Sequence, residues 1–309
     1  MKIFTKTYCI IFIVLFALLV GGLVIGSIYD LQISKSIVNL NSTFGLICAS
    51  FGEVLGWGVT AIIGVIAFKA GLKMDKTVFK VLLIILGVLI MGVAFYLIFA
   101  DMNSSHNGFK EVSNIYVRLS LAALIDGIII TIGFIVINTD DKEMLLWSLL
   151  ILLIAFYIPL AITFITKSIA SRPRYRLIYN GYENYTVDEL FKSWYSFKNV
   201  AKDIYPTDII ESDEFKSFPS GHSFVSMSSI LLSYIPSLNK KVKDKSWVRC
   251  LILVICSLYG LTIQLGRIIY GAHYLSDTTI GSLLAVFFSF FTPFIGFKIL
   301  VKKDVIKEE

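Results

Sequence analysis

Apolar stretches of about twenty residues recur along the chain, near 8–28, 49–68, 78–100, 118–137, 145–166, 221–238, 248–266 and 279–300. That is the length an α-helix needs to cross the hydrocarbon core of a bilayer, roughly 30 Å thick. The predicted fold class is therefore all-α: a polytopic transmembrane bundle of about eight helices, forming one integral membrane domain over 1–309. Composition supports this reading. The chain is 56% hydrophobic and only 16% charged, whereas soluble domains carry about 25% charged residues. Soluble folds, disorder, collagen-like repeats and disulfide scaffolds are thereby disfavoured.

The first run follows Lys2 and Lys6 and is not succeeded by a small-residue cleavage site, so it reads as an uncleaved first helix. Glu53 and Asp126 interrupt the second and fourth runs. A carboxyl at membrane depth is costly and should face the bundle interior, where a neutral, hydrogen-bonded packing residue is the simplest reading. The four cysteines, Cys9, Cys48, Cys250 and Cys256, lie in or beside apolar runs without a CxxC pair. They read as small buried hydrophobes.

The net charge is +6, and most cations flank apolar segments. That pattern suits an anionic membrane surface and gives no nucleic-acid arm. With the N-terminus placed inside, the cytoplasmic segments hold Lys69, Lys73, Lys76, Lys80, Lys142, Lys240, Lys241, Lys243, Lys245 and Arg249, and then the basic C-terminus. The short external segments hold few cations. By the positive-inside rule, a cell-membrane protein with both termini cytoplasmic and segment 167–217 outside is expected. That segment is rich in tyrosine. Thr186 and Glu189 have the spacing of a capping box, and Val187, Leu190, Phe191, Trp194 and Phe197 follow at helical spacing. A surface-lying amphipathic helix and a helix packed on the loop's own core both fit.

Three polar clusters close the helices on the expected external face: Lys167 to Arg176, Pro219-Ser220-Gly221-His222, and Arg267 to Asp277. Arginine forks and a lysine point charge suit a dianionic group. A helix opening at Ser-Gly-His offers free backbone N–H groups to an anion. His273 and Asp277 stand four apart, so on a helix the carboxylate can bind one ring nitrogen and leave the other free as nucleophile or base. Each cluster alone has a plainer reading: an interface anchor, a helix start, a structural hydrogen bond. Their joint occurrence on one face argues for a site. His106, in a short loop without cations, reads as a solvated loop residue.

These residues resemble the type-2 phosphatidic acid phosphatase family, whose motifs are Lys-x6-Arg-Pro, Pro-Ser-Gly-His and Ser-Arg-x5-His-x3-Asp. Lys167 and Arg174 have the first spacing, Pro219 to His222 match the second, and Arg267, His273 and Asp277 match the third. Tyr175 stands where the family has Pro, while Arg172-Pro173 precedes it; this leaves Arg172 or Arg174 as the phosphate-binding arginine. Gly266 replaces the Ser before Arg267. The resemblance covers about 145–300. It implies a phosphatase core over 145–300 with the extracytoplasmic loop 168–217, and for the whole chain a bundle of the family's six helices plus two extra helices on the N-terminal side, the helices of 1–144 preceding the motifs.

The resemblance also implies roles. His273 attacks phosphorus and becomes phosphohistidine, Asp277 orients it, and His222 protonates the leaving oxygen. Lys167, Arg174, Ser220, Gly221 and Arg267 hold the phosphoryl oxygens. The implied activity is a membrane hydrolase of lipid phosphates or pyrophosphates, such as phosphatidic acid, phosphatidylglycerophosphate or a polyprenyl pyrophosphate; the Ile-, Lys- and Asn-rich composition separately points to a bacterial source. The alternatives are a lipid phosphotransferase and a non-catalytic lipid-phosphate binder or transporter. No acidic or cysteine cluster is visible along the sequence, so no metal or other cofactor is expected. The expected partners are the bilayer and its lipid phosphate, with no signal for an oligomeric state.

Overall fold

The computed structural model describes residues 4–102, 114–196, 198–206, 210 and 212–302. His106 and Phe197 lie outside them. The long elements are α1 (Lys6–Ile37), α2 (Thr43–Phe51), α3 (Val54–Leu72), α4 (Thr77–Asp101), α5 (Ile115–Val136), α6 (Lys142–Ala170), α7 (Gly221–Ser228), α8 (Ser246–Ile269) and α9 (Leu275–Lys302). Among the described residues there is no strand ladder, only isolated bridges at Asn138–Asn239 and Tyr182–Tyr185.

Capping residues start the helices where the apolar runs begin. Thr5, Ser42, Asn114 and Asp141 each accept a hydrogen bond from a first-turn backbone N–H of the helix that follows. Helix α3 is buried along nearly its whole length and packs on α4, α5 and α6. α1 lies along α9 and α8. Tyr8, Phe12, Trp57, Ile63, Phe156 and Phe224 belong to the common core. The outer faces of α1, α4 and α5 expose Ile13, Leu18, Val78, Leu89, Leu124 and Ile135. Rows of exposed aliphatics of this kind are what a lipid-facing surface requires.

Seven described segments are long and apolar enough to cross a membrane. Two expected spans take forms that periodicity did not reveal. The second is broken at Gly52–Glu53, between α2 and α3. Carbonyls freed there are met by the Tyr259 hydroxyl, which donates to Gly52 O at 2.7 Å and Phe51 O at 3.3 Å. The sixth, 221–238, begins as two turns of α-helix and continues as a 3₁₀ segment, Ser229–Leu238. The longer 3₁₀ rise per residue gives the combined segment a length of roughly 30 Å. The first span is longer than its apolar core: α1 has 32 residues, about 48 Å.

The segment after α6 folds over one end of the bundle. Its own small core joins Tyr175, Ile178, Leu190, Ala201, Tyr205 and Phe215 to Leu31 and Tyr274. The capping box at Thr186 and Glu189 is present, but the helix it starts is a single turn, Val187–Leu190, packed on that core. Phe191 leaves the helical region with ψ 137°, so no long surface helix forms. Trp194 instead stacks on Phe218, with centroids 5.6 Å apart, and donates from Nε1 to Ser27 Oγ at 3.0 Å.

Candidate active site

The C-terminal ends of α6 and α8, the start of α7 and the turn before α9 meet at one end of the bundle. Ser171, with φ 46°, ends α6 in the left-handed region and turns the chain into the extended Arg172-Pro173-Arg174 stretch. Backbone bonds then knit the three clusters together. Ser217 N–H donates to Arg172 O at 3.0 Å, Ser220 N–H to Asp277 O at 3.0 Å, and Arg176 N–H to Gly271 O at 2.9 Å. Residues roughly 45 to 95 positions apart are thus held by main-chain geometry, which side-chain substitution disturbs least.

His273 is fully buried. Its Nδ1–H donates to Ser217 O at 2.7 Å. A carbonyl only accepts, so this bond puts the proton on Nδ1 and leaves the lone pair on Nε2. Among the described residues Nε2 has no hydrogen-bond partner, and neither does the buried Nε of Arg267. Burial first, and then the cations Arg174, Arg267 and Lys167, hold the His273 imidazole well below its usual range. It is a neutral ring facing three positive charges. A cluster of this kind favours an anion that brings its own acceptors.

Lys167 reaches the α7 start, where its ammonium lies 3.7 Å from the position a β-carbon on Gly221 would take. Ser220 caps α7: its Oγ accepts from Ser223 N–H at 3.3 Å and from Ser223 Oγ–H at 3.0 Å. Its own proton remains available to an anion. Arg174 is buried, and its fork is held by Asp213, through a side-chain ion pair and a 3.0 Å bond from Nε to the backbone carbonyl. Burial opposes charge on Asp213, yet Arg174, Lys167, Lys216 and Arg176 outweigh it and keep its carboxyl below the ordinary range. The site therefore brings together Lys167, Arg174, Ser220, Gly221, His222, Arg267 and His273.

Two expectations need correction. The first is the direct bond between Asp277 and His273. His273 stands in the turn ahead of α9, after Gly271 at φ +68°, so the two residues do not share a helical face. Asp277 instead accepts from Tyr274 N–H at 2.9 Å and from the Ser217 hydroxyl at 2.5 Å, and pairs with Arg172. It reaches His273 only through Ser217. The second is the absence of an acidic cluster. Glu53, Asp101 and His222 converge from three elements, with ligand-capable atoms all within 4.8 Å of one another. Their donor set suits a divalent ion as well as a proton.

The two candidate arginines separate cleanly. Arg172 is fully buried. Its Nη2 pairs with Asp30 at 2.9 Å, and its Nη1 pairs with Asp277 and donates to Ser276 Oγ at 2.9 Å. Its Nε donates to Lys192 O at 2.6 Å, and its guanidinium lies 4.0 Å from the Tyr274 ring centroid. With every edge of its fork engaged, it has no face left for a ligand. Arg174 contributes the largest of the charges acting on His273. Sequence reasoning read Glu53 only as an interior packing residue and missed Asp30, Asp101, Asp213 and Ser217. The available signal was acids inside or at the ends of apolar runs, which bundles retain only for a reason.

A family model described as the PAP2 superfamily matches residues 145–299. No curated protein matches the chain, and no solved structure does.

Proposed function

The chain belongs to the PAP2 superfamily, and on that premise we propose that it is a membrane phosphatase that hydrolyses lipid phosphate monoesters or pyrophosphates through a phosphohistidine on His273. The observation that carries this reading is the buried His273. Its tautomer is set by Ser217 O, and its Nε2 is unpartnered among three cations. In the proposed reaction Nε2 attacks phosphorus. The N–P bond forms as the P–O bond to the leaving group breaks, and the departing oxygen takes a proton from His222. Water then attacks the phosphohistidine, giving its proton to His222, and the N–P bond breaks to release phosphate.

Arg174, Arg267 and Lys167, with Ser220 and the Gly221 backbone, hold the phosphoryl oxygens. A loose phosphoryl transition state needs positioning and charge stabilisation above all. Three side-chain cations supply that charge, which supports turnover without a metal. The pocket is proposed to face the extracytoplasmic side. Helices α6 and α8 start at the end where Lys142 pairs with Asp75, and Lys73 and Lys240 pair with Asp140. They finish at the pocket, opposite those lysines, and the positive-inside rule sets the lysine end in the cytoplasm.

The test is a panel of ³²P-labelled lipid phosphates and a polyprenyl pyrophosphate, with and without chelator. Rapid alkaline quench should trap label on the wild-type protein and none on His273→Ala, which should also stop phosphate release. Substantial turnover by His273→Ala would overturn the nucleophile assignment. Strict dependence on a divalent ion would overturn the metal-free account.

A further inference from the structure

His222 carries the leaving-group proton in the proposed reaction, and its surroundings come from outside residues 145–299. Its Nδ1 lies 3.0 Å from Glu53 Oε1, at the break between α2 and α3. Its Nε2 lies 3.3 Å from Ala49 O on α2 and 3.5 Å from Asp101 Oδ1 at the end of α4. The acids are themselves fixed. Trp57 Nε1–H donates to Glu53 Oε2 at 2.9 Å, and Glu53 N–H donates to Asp101 Oδ2 at 3.3 Å. All three side chains are largely buried, with 14%, 11% and 2% exposure for His222, Glu53 and Asp101.

The charges facing His222 from its other neighbours are all positive: Lys167 from α6, Arg174 beyond it, and Arg267 from α8. Three cations suit a phosphate but repel a fourth charge on an imidazolium. A general acid must nevertheless hold its proton until the leaving oxygen needs it. Both ring nitrogens of His222 face oxygen atoms, and because Ala49 O can only accept, the contact on Nε2 is satisfied when that nitrogen carries hydrogen. The shortest contact, to Glu53, anchors Nδ1. The two longer contacts on Nε2 are weak bonds, readily given up to a substrate oxygen.

We propose that Glu53 and Asp101 are positioning residues for His222: Glu53 orients the ring through Nδ1, and the two carboxylates together keep the transferable proton on it against the phosphate-binding cations. The inference rests on the phosphatase reading and assigns a function to helices that precede the matched segment. The same donor set would suit a divalent cation, but the Lys167 and Arg267 charges act directly on Glu53 and compete with a metal there.

Leaving-group dependence tests the proposal. A dialkylglycerol phosphate expels an alkoxide that needs the proton, whereas p-nitrophenyl phosphate expels a group that does not. Glu53→Gln should lower kcat on the alkyl ester by about 100-fold, the lower end of what a general acid contributes, and at least tenfold more than on the aryl ester. The alkaline limb of the alkyl-ester pH profile should move to lower pH. Asp101→Asn keeps an acceptor for Glu53 N–H and should shift the same limb in the same direction; it keeps the question open if Glu53→Gln does not fold. Equal losses on both esters, with an unmoved limb, would show a merely structural role and overturn the proposal. So would a wild-type loss on chelation that reproduces the Glu53→Gln pattern, because the carboxylates would then be metal ligands. If wild-type protein released no phosphate from either ester, the phosphatase reading would fail first, and this inference with it.

Discussion

Replacing Arg172 by methionine keeps an unbranched apolar stem about as far as Nε and removes the guanidinium fork. Asp30 and Asp277, which are 4% and 0% exposed, would be left facing each other across a dry gap. Arg172 pairs with both carboxylates and donates to Ser276 Oγ and Lys192 O. Removing one partner of a buried ion pair costs about 3–5 kcal/mol, because the remaining charge cannot be hydrated. That changes the folded-to-unfolded ratio by between about a hundredfold and several thousandfold. In a chain of this size it should lower Tm by roughly 10 °C. Arg174→Met is the contrasting case. Its partner Asp213 has a side chain 47% exposed, so water takes over and the stability cost is about 1 kcal/mol or less. Its loss should appear as a fall of about 100- to 1000-fold in turnover, the usual cost of deleting a transition-state charge donor. Thermal unfolding in detergent and phosphate release, run on both variants, separate the roles. An Arg172→Met protein that unfolds within about 2 °C of wild type, beside an Arg174→Met protein of normal activity, would refute the assignment of the two arginines.

Two more outcomes follow from geometry. A β-carbon at Gly281 would stand 2.4 Å from Ser220 O, so Gly281→Ala must push the start of α7 away from α9. Overpacking of this kind costs about 1–3 kcal/mol, and kcat/KM should fall with it; unchanged kinetics would show that the α7 start tolerates displacement. Because His273 is held well below its usual range, phosphoenzyme formation from an aryl phosphate should stay flat as pH falls through about 6.5. The unfolded chain takes up that proton and the folded one resists it, so stability should decline below the same pH. Rapid-quench labelling against pH checks the first point, and a midpoint near 6.5 would contradict the buried neutral ring.

The apolar runs reported the helices well, because span length is imposed by the bilayer and leaves a mark on every residue. The break at Gly52–Glu53 was readable only as an intrusive acid, since the hydroxyl that mends it comes from Tyr259, 207 residues away. The site residues of the three clusters were legible because each motif is local. Their supports were not. Arg172 and Arg174 differ by two positions and look alike in sequence; what distinguishes them is Asp30, 142 residues from Arg172, against Asp213. The spacing of His273 and Asp277 invited a helical pairing, and the turn at Gly271 removed it. Glu53 and Asp101 gave no sign of meeting His222, because three separate elements have to pack before the acids share a neighbour.

The length of α1 bears on the depth at which the proposed site would sit in a bilayer. Asp30 lies about 36 Å along the helix axis from Lys6, slightly more than the roughly 30 Å of hydrocarbon between two interfaces. A helix whose first charged residue rests at one boundary therefore presents Asp30 just beyond the other. Through Arg172 and Asp277 that carboxylate is tied to the turn that carries His273. On the phosphatase proposal, α1 would act as a ruler that sets the His273 ring at headgroup height, where a lipid substrate would keep its tail in the bilayer while its phosphate meets the imidazole.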